Sequence, residues 1–364
     1  MKIIHCADIH LDSNMTANLN VQQAKSRNVE LLETFEEMVD FGEQEQVEAI
    51  LIAGDLFDTQ EPTTYVKHVF LEIVKKHSSI RFFYCRGNHD RLVNWEKESI
   101  PENLIFFHRE WASYQLGQVT ISSIECMGDS LLGMNENWKL PNDTVNIVML
   151  HGSLVEQINS EWKEDQIPIN KFRNKQIDYL ALGHIHSYQK ERLDHRGIYC
   201  YSGCLEGRGF DECGQKGFVL LEVDEQTNEM RSRFIPFGKR QLYEIHVSVE
   251  GCMTSAEMAR RIENALDTYE VEKEDFVKVL LTGAIDVECE KNMPYIRAKF
   301  TDKYYCFRLE DCTTLAVDYS DFIIDETLKG EFVRMIQESD IPQKDKAEII
   351  RFGILALAGE ELAE

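Results

Sequence analysis

The chain has 364 residues, of which 43% are hydrophobic, 10% aromatic and 28% charged. This ordinary globular composition excludes a disordered or collagen-like chain, and the length predicts two or three domains. The net charge of −25 repels nucleic acid and most membrane surfaces at long range, so a polyanionic substrate would need positive charge close to its binding site.

The sequence predicts a cytoplasmic protein that does not enter a membrane. Apolar runs such as Ala49–Ala53 have about five residues, far fewer than the roughly 20 that span a bilayer. The segment Met1–Asp8 carries charges and lacks the apolar stretch of a signal peptide. The ten cysteines include no CxxC pair, so we expect reduced thiols, and the spacing of Cys200, Cys204 and Cys213 fits no common zinc site.

The first two-thirds of the chain alternates short β-rich runs with amphipathic stretches, a pattern typical of a layered α/β fold. Helices are predicted at Val21–Gln44, where apolar residues recur at helical spacing, and at Thr63–Lys76. Several predicted strands have apolar residues on both faces, as central strands do. These strands are Lys2–Asp8, Ala49–Asp55, Arg81–Cys85, Val119–Cys126, Val145–Leu150, Tyr179–Leu182, Ile198–Ser202 and Phe218–Val223.

The pattern changes near Pro236–Arg240, which predicts a domain boundary. We expect a first domain at residues 1–238, a smaller α+β domain at 239–320 and C-terminal helices at 321–364. Helices are predicted at Thr254–Leu266, which begins with a capping box, Glu326–Glu338 and Lys344–Leu357. Strands are predicted at Leu242–Val249, Phe276–Leu281, Tyr295–Phe300 and Leu315–Tyr319.

Five short motifs follow predicted strands, at the carboxyl ends where open α/β sheets bind ligands. They contain five of the eleven histidines. Each motif alone is more often a turn than a ligand pair, but the five together indicate one site at one sheet edge. The motifs are Asp8-Ile9-His10, Gly54-Asp55-Leu56-Phe57-Asp58, Gly87-Asn88-His89-Asp90, His151-Gly152 and Gly183-His184-Ile185-His186.

Carboxylate and imidazole groups without thiolates suit Mn²⁺, Fe²⁺ or Zn²⁺ and argue against a closed structural zinc site. Two such ions about 3.5–4 Å apart can activate a water and neutralise the charge of a phosphoryl centre. A binuclear centre needs a carboxylate that bridges both ions. Asp55 is the natural candidate, because Gly54 before it permits a close approach of the backbone.

These motifs resemble those of the calcineurin-like metallophosphoesterases. Within that family, Ala53–Thr59 and Gly87–Asp90 resemble the SbcD-type nucleases of DNA double-strand-break repair, and Tyr201–Cys204 and Gly207–Phe218 resemble their YhaO-like branch. The resemblance implies a layered metallophosphoesterase sandwich of mixed sheets flanked by helices, followed by an α+β capping domain and C-terminal helices.

The resemblance also implies a role for each motif residue. It implies that His89 is the general acid that protonates the leaving oxygen and that Asp58 accepts a hydrogen bond from His89, although a turn or cap role for Asp58 stays open. Two divalent ions are implied, with Mn²⁺ expected and Fe²⁺ or Zn²⁺ as alternatives. The first ion would be held by Asp8, His10, Asp55 and His186, and the second by Asp55, Asn88, His151 and His184.

The chain departs from related patterns at named positions. Cys204 stands where the family has serine. Arg86 precedes the Gly-Asn-His motif as in Ser/Thr protein phosphatases, but Thr59 and Asp90 replace the arginine and glutamate of those enzymes. The protein phosphatase pattern therefore fails at both places.

Positive charge for a phosphate backbone is scarce. Between Lys171 and Arg196, six basic residues outnumber three acidic ones beside the last motif. Arg173, Lys175 and, further along, Arg208 are therefore candidates for substrate contact, and a solvated face is an equal alternative.

The predicted function is a DNA nuclease subunit, an exonuclease with endonuclease activity as an open question. The resemblance implies duplex ends or hairpins as substrate and an SbcC-type coiled-coil ATPase as partner, docked on the C-terminal helices; a homodimer is left open. An apolar stripe such as the one that begins at Leu328 and Phe332 is more often a domain's own core face than a docking surface. The rivals are a phosphodiesterase or phosphatase for small esters and a non-catalytic adaptor.

Overall fold

The computed structural model describes residues 1–15, 19–125, 140–156, 165–286, 289–316, 322 and 324–358. These form two compact units, Met1–Leu242 and Tyr243–Glu364. Unit 1 contains two six-stranded mixed sheets, with strands numbered in chain order. The first sheet is, in spatial order, β14 (Glu229–Pro236), β13 (Gly217–Asp224), β1 (Lys2–Cys6), β2 (Ala49–Ala53), β3 (Arg81–Cys85) and β4 (Leu104–Phe106). The second sheet is β11 (Gln189–Arg192), β12 (Ile198–Tyr201), β10 (Tyr179–Gly183), β7 (Val145–His151), β6 (Val119–Ser123) and β5 (Ala112–Leu116).

Each sheet has four parallel strands; in the second sheet an antiparallel strand lies at each edge, whereas in the first sheet both antiparallel pairings lie on one side and the parallel strand β4 forms the other edge. In the first sheet β1 to β4 are parallel, and in the second β6, β7, β10 and β12 are parallel. The register sets Ala53 opposite Cys85 in one sheet and His151 opposite Gly183 in the other. The residues that follow these strands therefore leave each sheet at one edge.

The core of unit 1 lies between the two sheets. Alternate residues of the first sheet, such as Ile3, Leu51 and Phe83, are fully buried in one cluster with Ile147 and Ala181 of the second sheet. Side chains of the opposite parity on the second sheet are buried in a separate cluster. Burial on both faces explains why these strands read as continuous apolar runs in the sequence.

Two helices pack on the first sheet, α1 (Val21–Gln44) and α2 (Thr64–Lys76). Gly42 of α1 lies against Ile4 of β1, and the rings of Phe35 and Phe70 join the helices with centroids 5.6 Å apart. Helix α1 begins at the predicted Val21, and α2 begins one residue after the predicted Thr63, because the Asn20 and Thr63 side chains accept hydrogen bonds from the first-turn backbone and are the N-caps.

Unit 2 is built on the three-stranded sheet β15 (Leu242–Ser248), β16 (Phe276–Thr282) and β18 (Cys306–Asp311). Strand β15 starts at the last residue of unit 1. Two-stranded sheets pair β17 (Ala284–Asp286) with β19 (Thr314–Ala316) here, and β8 (Ser153–Val155) with β9 (Gln166–Pro168) in unit 1. The helices of unit 2 are α3 (Ser255–Thr268), α4 (Met293–Phe300), α5 (Leu328–Glu338) and α6 (Gln343–Ala358). The predicted capping box of α3 is present, with reciprocal bonds between Thr254 and Glu257.

One predicted strand is wrong. Tyr295–Phe300 forms the end of α4, because the Asn292 side chain caps the helix at Tyr295 N and a proline occupies its first turn. Ile296 and Phe300, four residues apart, are its buried positions. The strand beside β16 is instead β18, which the sequence analysis missed.

Other differences concern edges and ends. Strands β11 and β14 were not predicted, since they are largely exposed and lack a continuous apolar run. Cys126 and residues 317–319, at the ends of two predicted strands, lie outside the described residues. Within the described part of the chain, no helix is long and apolar enough to cross a membrane.

The buried imidazole of His5 predicts acid sensitivity of unit 1. His5 lies between the sheets, where Nδ1 is 2.9 Å from the Tyr179 hydroxyl, and burial lowers its pKa from 6.5 to about 3. Between pH 6.5 and pH 3, His5 is protonated in the unfolded chain but stays neutral in the folded chain. The free energy of unfolding therefore falls as the pH falls from 6.5 towards 3.

We expect the free energy of unfolding to fall by about 3 kcal/mol more in the parent protein than in His5→Gln between pH 7 and pH 4. Urea denaturation in the presence of a chelator at both pH values measures this difference. Equal pH dependence of the two proteins would show that His5 is not the group responsible.

Candidate metal centre

The predicted ligands all lie at the carboxyl edge of the two sheets. Asp8 and His10 follow β1, Asp55 follows β2 and Asn88 follows β3, all in the first sheet. In the second sheet, His151 ends β7, and His184 and His186 follow β10. Because the two sheets face each other, these loops meet across the top of the core. The structure thus brings all seven predicted ligands together.

Asp8, His10 and His186 form the first donor group. One donor atom from each lies within 4.8 Å of the others. His10 Nε2 and His186 Nε2 are 3.2 Å apart, and His186 Nε2 is 4.0 Å from Asp8 Oδ1. These three side chains therefore point at one position.

The second donor group lies beside it. Asp8, Asp55 and His151 again offer donors within 4.8 Å of one another. His151 Nε2 lies 3.2 Å from Asp55 Oδ2 and 3.0 Å from Asn88 Oδ1, which is 3.1 Å from His184 Nδ1. Asp55 Oδ2 is also 4.0 Å from His10 Nε2 in the first group. Asp8 is thus common to both groups, and Asp55, a member of the second group, lies between the two as the candidate bridging carboxylate.

The tautomers of the first group leave two lone pairs facing each other. His10 Nδ1 is 2.9 Å from Asp58 Oδ1, and His186 Nδ1 is 2.6 Å from Glu212 Oε1. An ionised carboxylate only accepts hydrogen bonds, so each Nδ1 carries the proton and each Nε2 is a bare acceptor. Two acceptors 3.2 Å apart repel unless a cation lies between them. This arrangement fits a metal ion.

The second group also fits a cation. His151 Nδ1 donates to the carbonyl oxygen of Ala53 at 2.9 Å, so Nε2 is the nitrogen that faces the oxygens of Asp55 and Asn88, and a metal ion there would take the place of the Nε2 proton. A donor set of carboxylate, amide oxygen and imidazole is shared by Mn²⁺, Fe²⁺ and Zn²⁺ sites. Among the described residues, none of the candidate donor groups includes a cysteine.

The field at the site favours positive charge. Burial would raise the pKa of the Asp55 carboxyl, but His151 beside it holds that pKa well below its usual range. Burial would likewise lower the pKa of His151, yet Asp55 and Asp8 raise it to about 10. Carboxylates that raise the pKa of a buried imidazole by this much also favour the binding of a metal cation in the same pocket.

The backbone is strained at four of the predicted ligands. Asp8, His10, Asp55 and His184 have φ values of 51°, 51°, 50° and 97°, a region that residues other than glycine rarely adopt. Such strain persists where the surrounding structure fixes it, and it clusters at functional sites. The turns that follow β1, β2 and β10 therefore adopt unfavourable backbone conformations that place these side chains in the site.

His89 and Asp58 lie at the edge of the donor groups. The His89 backbone N–H donates to Asp55 Oδ1 at 2.9 Å, and its imidazole is 41% exposed. His89 Nδ1 is 3.5 Å from Asp58 Oδ1 and 3.2 Å from the Asp58 carbonyl oxygen. Burial would raise the pKa of Asp58, but hydrogen bonds from His10 and Ser13 lower it to about 2. The Asp58 carboxylate therefore lies closer to the imidazole of His10 than to that of His89.

The three predicted basic residues are placed differently. Arg208 contacts Asp58 Oδ1 at 2.6 Å and Glu212 Oε1 at 2.9 Å, directly behind the first donor group. Arg173 forms an ion pair with Glu156 at 2.9 Å and donates a hydrogen bond to the Asn170 side chain. The Lys175 backbone carbonyl accepts a hydrogen bond from the Leu140 backbone N–H.

Two residues that position the site were missed by the sequence analysis. Asp90 is fully buried, and its carboxylate accepts from the backbone of Leu56 and Gly87 at 2.7 Å each and from the Tyr84 hydroxyl. It therefore ties the loop of Asp55 to the loop of Asn88. The only signal for it was its place in the Gly-Asn-His-Asp motif. Glu212, which faces His186, had no recognisable signal.

The sequence profile of the calcineurin-like phosphoesterases matches residues 1–188, a span that contains all seven predicted ligands. The chain belongs to this family. It is similar to the uncharacterized metallophosphoesterase YhaO of Bacillus subtilis, with 29% identity over 241 residues. That alignment covers 61% of this chain and 57% of YhaO, so the chain spans little more than half the length of this relative.

The chain is also similar to archaeal DNA double-strand break repair proteins Mre11. The protein of Sulfurisphaera tokodaii is 25% identical over 303 residues, which cover 78% of this chain and 73% of the relative. The protein of Methanopyrus kandleri is 25% identical over 324 residues, which cover 80% of this chain and 67% of the relative. The family resemblance and the fold class predicted from the motifs are confirmed.

The glycines of the motifs give a test of the close packing. A Cβ at Gly54, where φ is +90°, would lie 2.1 Å from His151 Nδ1. We expect Gly54→Ala to displace His151 and to lower the amount of bound Mn²⁺ to at most one ion per chain, as measured by metal analysis after dialysis.

Gly214 is the matched control for this experiment. Its φ of +94° is equally unfavourable for alanine, but a Cβ there meets nothing within 4 Å. Gly214→Ala should cost about 1 kcal/mol of stability from backbone strain and keep the parent metal content. Equal metal content in both variants would contradict the close-packing argument.

Proposed function

We propose that this chain is a metal-dependent nuclease that hydrolyses phosphodiester bonds in DNA. The observation that carries the proposal is the pair of adjoining donor groups that share Asp8 and have Asp55 between them, with the exposed imidazole of His89 at their edge. The choice of DNA is supported by the similarity to Mre11 repair proteins. With this substrate, we infer exonuclease activity on duplex ends or hairpins, in the cytoplasm.

Asp55 is the bridging ligand in this proposal, and Mn²⁺ is the expected metal. When bound, two divalent ions would activate a water and neutralise the phosphoryl charge. The first ion would be held by Asp8, His10, Asp55 and His186, and the second by Asp55, Asn88, His151 and His184.

His89 is the proposed general acid. Its imidazole is exposed enough to reach a substrate, and its backbone bond to Asp55 fixes its loop against the shared carboxylate. Asp58, 3.5 Å from His89 Nδ1, orients the ring so that the other nitrogen can protonate the leaving oxygen. These two residues are the proposed catalytic pair beside the metals.

Because its net charge is −25, the chain would need additional positive charge at the site or from a partner to bind DNA. Two divalent ions add about four positive charges at the site itself. An SbcC-type coiled-coil ATPase that supplies further phosphate contacts would resolve the conflict, and a homodimer would double the contacts of one chain. In this reading, residues 239–320 form a capping domain and 321–364 a docking segment.

The helices α5 and α6 of unit 2 offer an apolar groove for such a partner. The groove encloses about 390 Å³ and is lined by Leu328, Phe332, Met335 and Leu357 among others. Leu328 and Met335 are 69% and 60% exposed, although they lie on the apolar stripe of α5. Exposed apolar side chains at helical spacing suit a helical partner laid along the groove.

The proposal is tested with the purified chain in Mn²⁺ at low salt. An end-labelled linear DNA duplex, a small phosphodiester and a small phosphomonoester are compared as substrates. Release of nucleotides from the duplex is expected. Turnover of the small esters alone, with DNA intact, would favour a phosphodiesterase or phosphatase, a rival that the strongly acidic charge of the chain favours.

His89→Asn should lower the rate of DNA hydrolysis by about 10²–10⁴-fold while both metals stay bound, because His89 contributes a proton and no metal bond. Metal content and nuclease rate are measured on the same preparation. The control His68→Asn changes an exposed histidine of α2 and should match the parent. Loss of a metal in His89→Asn would refute this assignment.

Met335→Glu should weaken binding of the coiled-coil ATPase by more than about tenfold, because it places a charge in an apolar contact. Tyr295→Glu is the control, since Tyr295 is 51% exposed in unit 2 and lies outside the groove. Co-purification of the tagged chain with the co-expressed ATPase measures the effect. Equal capture by both variants would remove the groove from the proposed interface.

A further inference from the structure

The two carboxylates behind the first donor group share one guanidinium. Arg208 Nη1 donates to Asp58 Oδ1 at 2.6 Å, and Arg208 Nη2 donates to Glu212 Oε1 at 2.9 Å. Arg208 Nε adds a second contact to the same glutamate oxygen at 3.2 Å. The arginine side chain is only 18% exposed and the glutamate 3%, so most of this cluster is shielded from water.

These contacts close a ring that we name the Arg208 ring, consisting of His10, Asp58, Arg208, Glu212 and His186. Asp58 faces His10 Nδ1 at 2.9 Å, and Glu212 faces His186 Nδ1 at 2.6 Å. The two Nε2 atoms then meet at 3.2 Å inside the first donor group. Every member of the ring therefore contacts two others.

We propose that Arg208 and Glu212 are positioning residues that build one of the two metal positions, the one faced by His10 and His186. The guanidinium holds both carboxylates at fixed separation, and each carboxylate fixes the proton and orientation of one imidazole. Arg208 thereby acts through Asp58 and Glu212, and it is not a phosphate contact. The inference rests on the metal centre of the proposed function.

The shape of arginine explains why this residue type is needed. Its planar group presents donors in a rigid fork, so one side chain satisfies two carboxylates in different directions. A lysine ammonium is a single point on a flexible stem and cannot set that separation. Partners behind metal-binding histidines typically change metal affinity by about 10–100-fold when they are removed.

The backbone of Arg208 is held as firmly as its side chain. Its N–H donates to Glu212 Oε2 at 2.7 Å. The preceding carbonyl, of Gly207, accepts from Arg27 at 2.9 Å, and Arg27 also pairs with Glu206 in a fully buried contact. The ring is thus anchored to α1, which makes its geometry a property of the folded unit rather than of a mobile side chain.

The second donor group does not use the ring. His151 Nδ1 is held by the backbone carbonyl of Ala53 at 2.9 Å, and His184 Nε2 lies 3.4 Å from Asp165. Neither contact involves Arg208 or Glu212. Removal of either ring residue should therefore weaken one metal ion and spare the other.

The test is a Mn²⁺ titration of the metal-free full chain, followed by electron paramagnetic resonance. The parent should bind two ions that couple magnetically. Arg208→Met, Arg208→Lys and Glu212→Gln should bind one ion as the parent does and the other about 10–100-fold more weakly, with an uncoupled Mn²⁺ signal. Glu212→Gln keeps the inference testable if the arginine variants fold poorly.

Arg196→Met is the matched control. Arg196 pairs with Asp178 through two donors at 2.8 Å each, and its side chain is 20% exposed. It resembles Arg208 in burial and pairing but lies outside the ring. This variant should bind both ions like the parent.

Double variants identify which ion is affected. Arg208→Met combined with His184→Ala should hold no tightly bound ion, whereas Arg208→Met combined with His186→Ala should bind like His186→Ala alone. The inference is overturned if Arg208→Met binds both ions like the parent and only raises KM for DNA, or if both ions weaken equally. A parent chain that binds no Mn²⁺ would overturn the metal centre and, with it, this inference.

Discussion

The site depends on one buried carboxylate, Asp55, which joins the two sheets of unit 1. It follows β2 in the first sheet, and its Oδ2 lies 3.2 Å from Nε2 of His151 in the second. Only 1% of the residue is exposed, so its charge is stable only with positive groups or N–H donors around it. Gly87 leaves room for it, because a Cβ there would lie 2.1 Å from Asp55 Oδ1. The packing of the two sheets against each other therefore also brings the residues of the site together.

The acidity that opposes DNA binding also builds the metal centre. A net charge of −25 disfavours a polyanion at long range, yet the carboxylates at the sheet edge raise the pKa of His151 to about 10. The two effects act over different distances, since bulk charge is screened within about 8–10 Å at physiological salt while buried pairs are screened much less. In the proposed function, a site of this kind binds cations first, and those cations would then provide the local attraction for phosphate.

Much of this arrangement is encoded locally in the sequence. The parallel strands β1, β2, β3, β7 and β10 were predicted because burial on both faces gives continuous apolar runs, and polar motifs at their ends marked one sheet edge. The edge strands were not predicted, because exposed strands lack a continuous run of apolar residues. Helix α4 was not predicted either, because its sequence fits the alternation of a strand as well as the spacing of a helix. The local cap at Asn292 and the tertiary burial of Ile296 and Phe300 together favour the helix.

The groups behind the ligands were the least predictable part of the site. Glu212 faces His186 only because the chain returns after β12 to the same edge, a long-range contact with no local pattern. Asp58 shows why such groups matter for mechanism, because one of its oxygens lies 2.9 Å from His10, 3.5 Å from His89 and 2.6 Å from Arg208. In the proposed function, a ligand of the first donor group and the general acid therefore lie beside one carboxylate, and the shorter contact of His89 Nδ1, at 3.2 Å, is with the Asp58 backbone carbonyl. Asp58 would then link the metal position faced by His10 to the proton donor through both its side chain and its backbone.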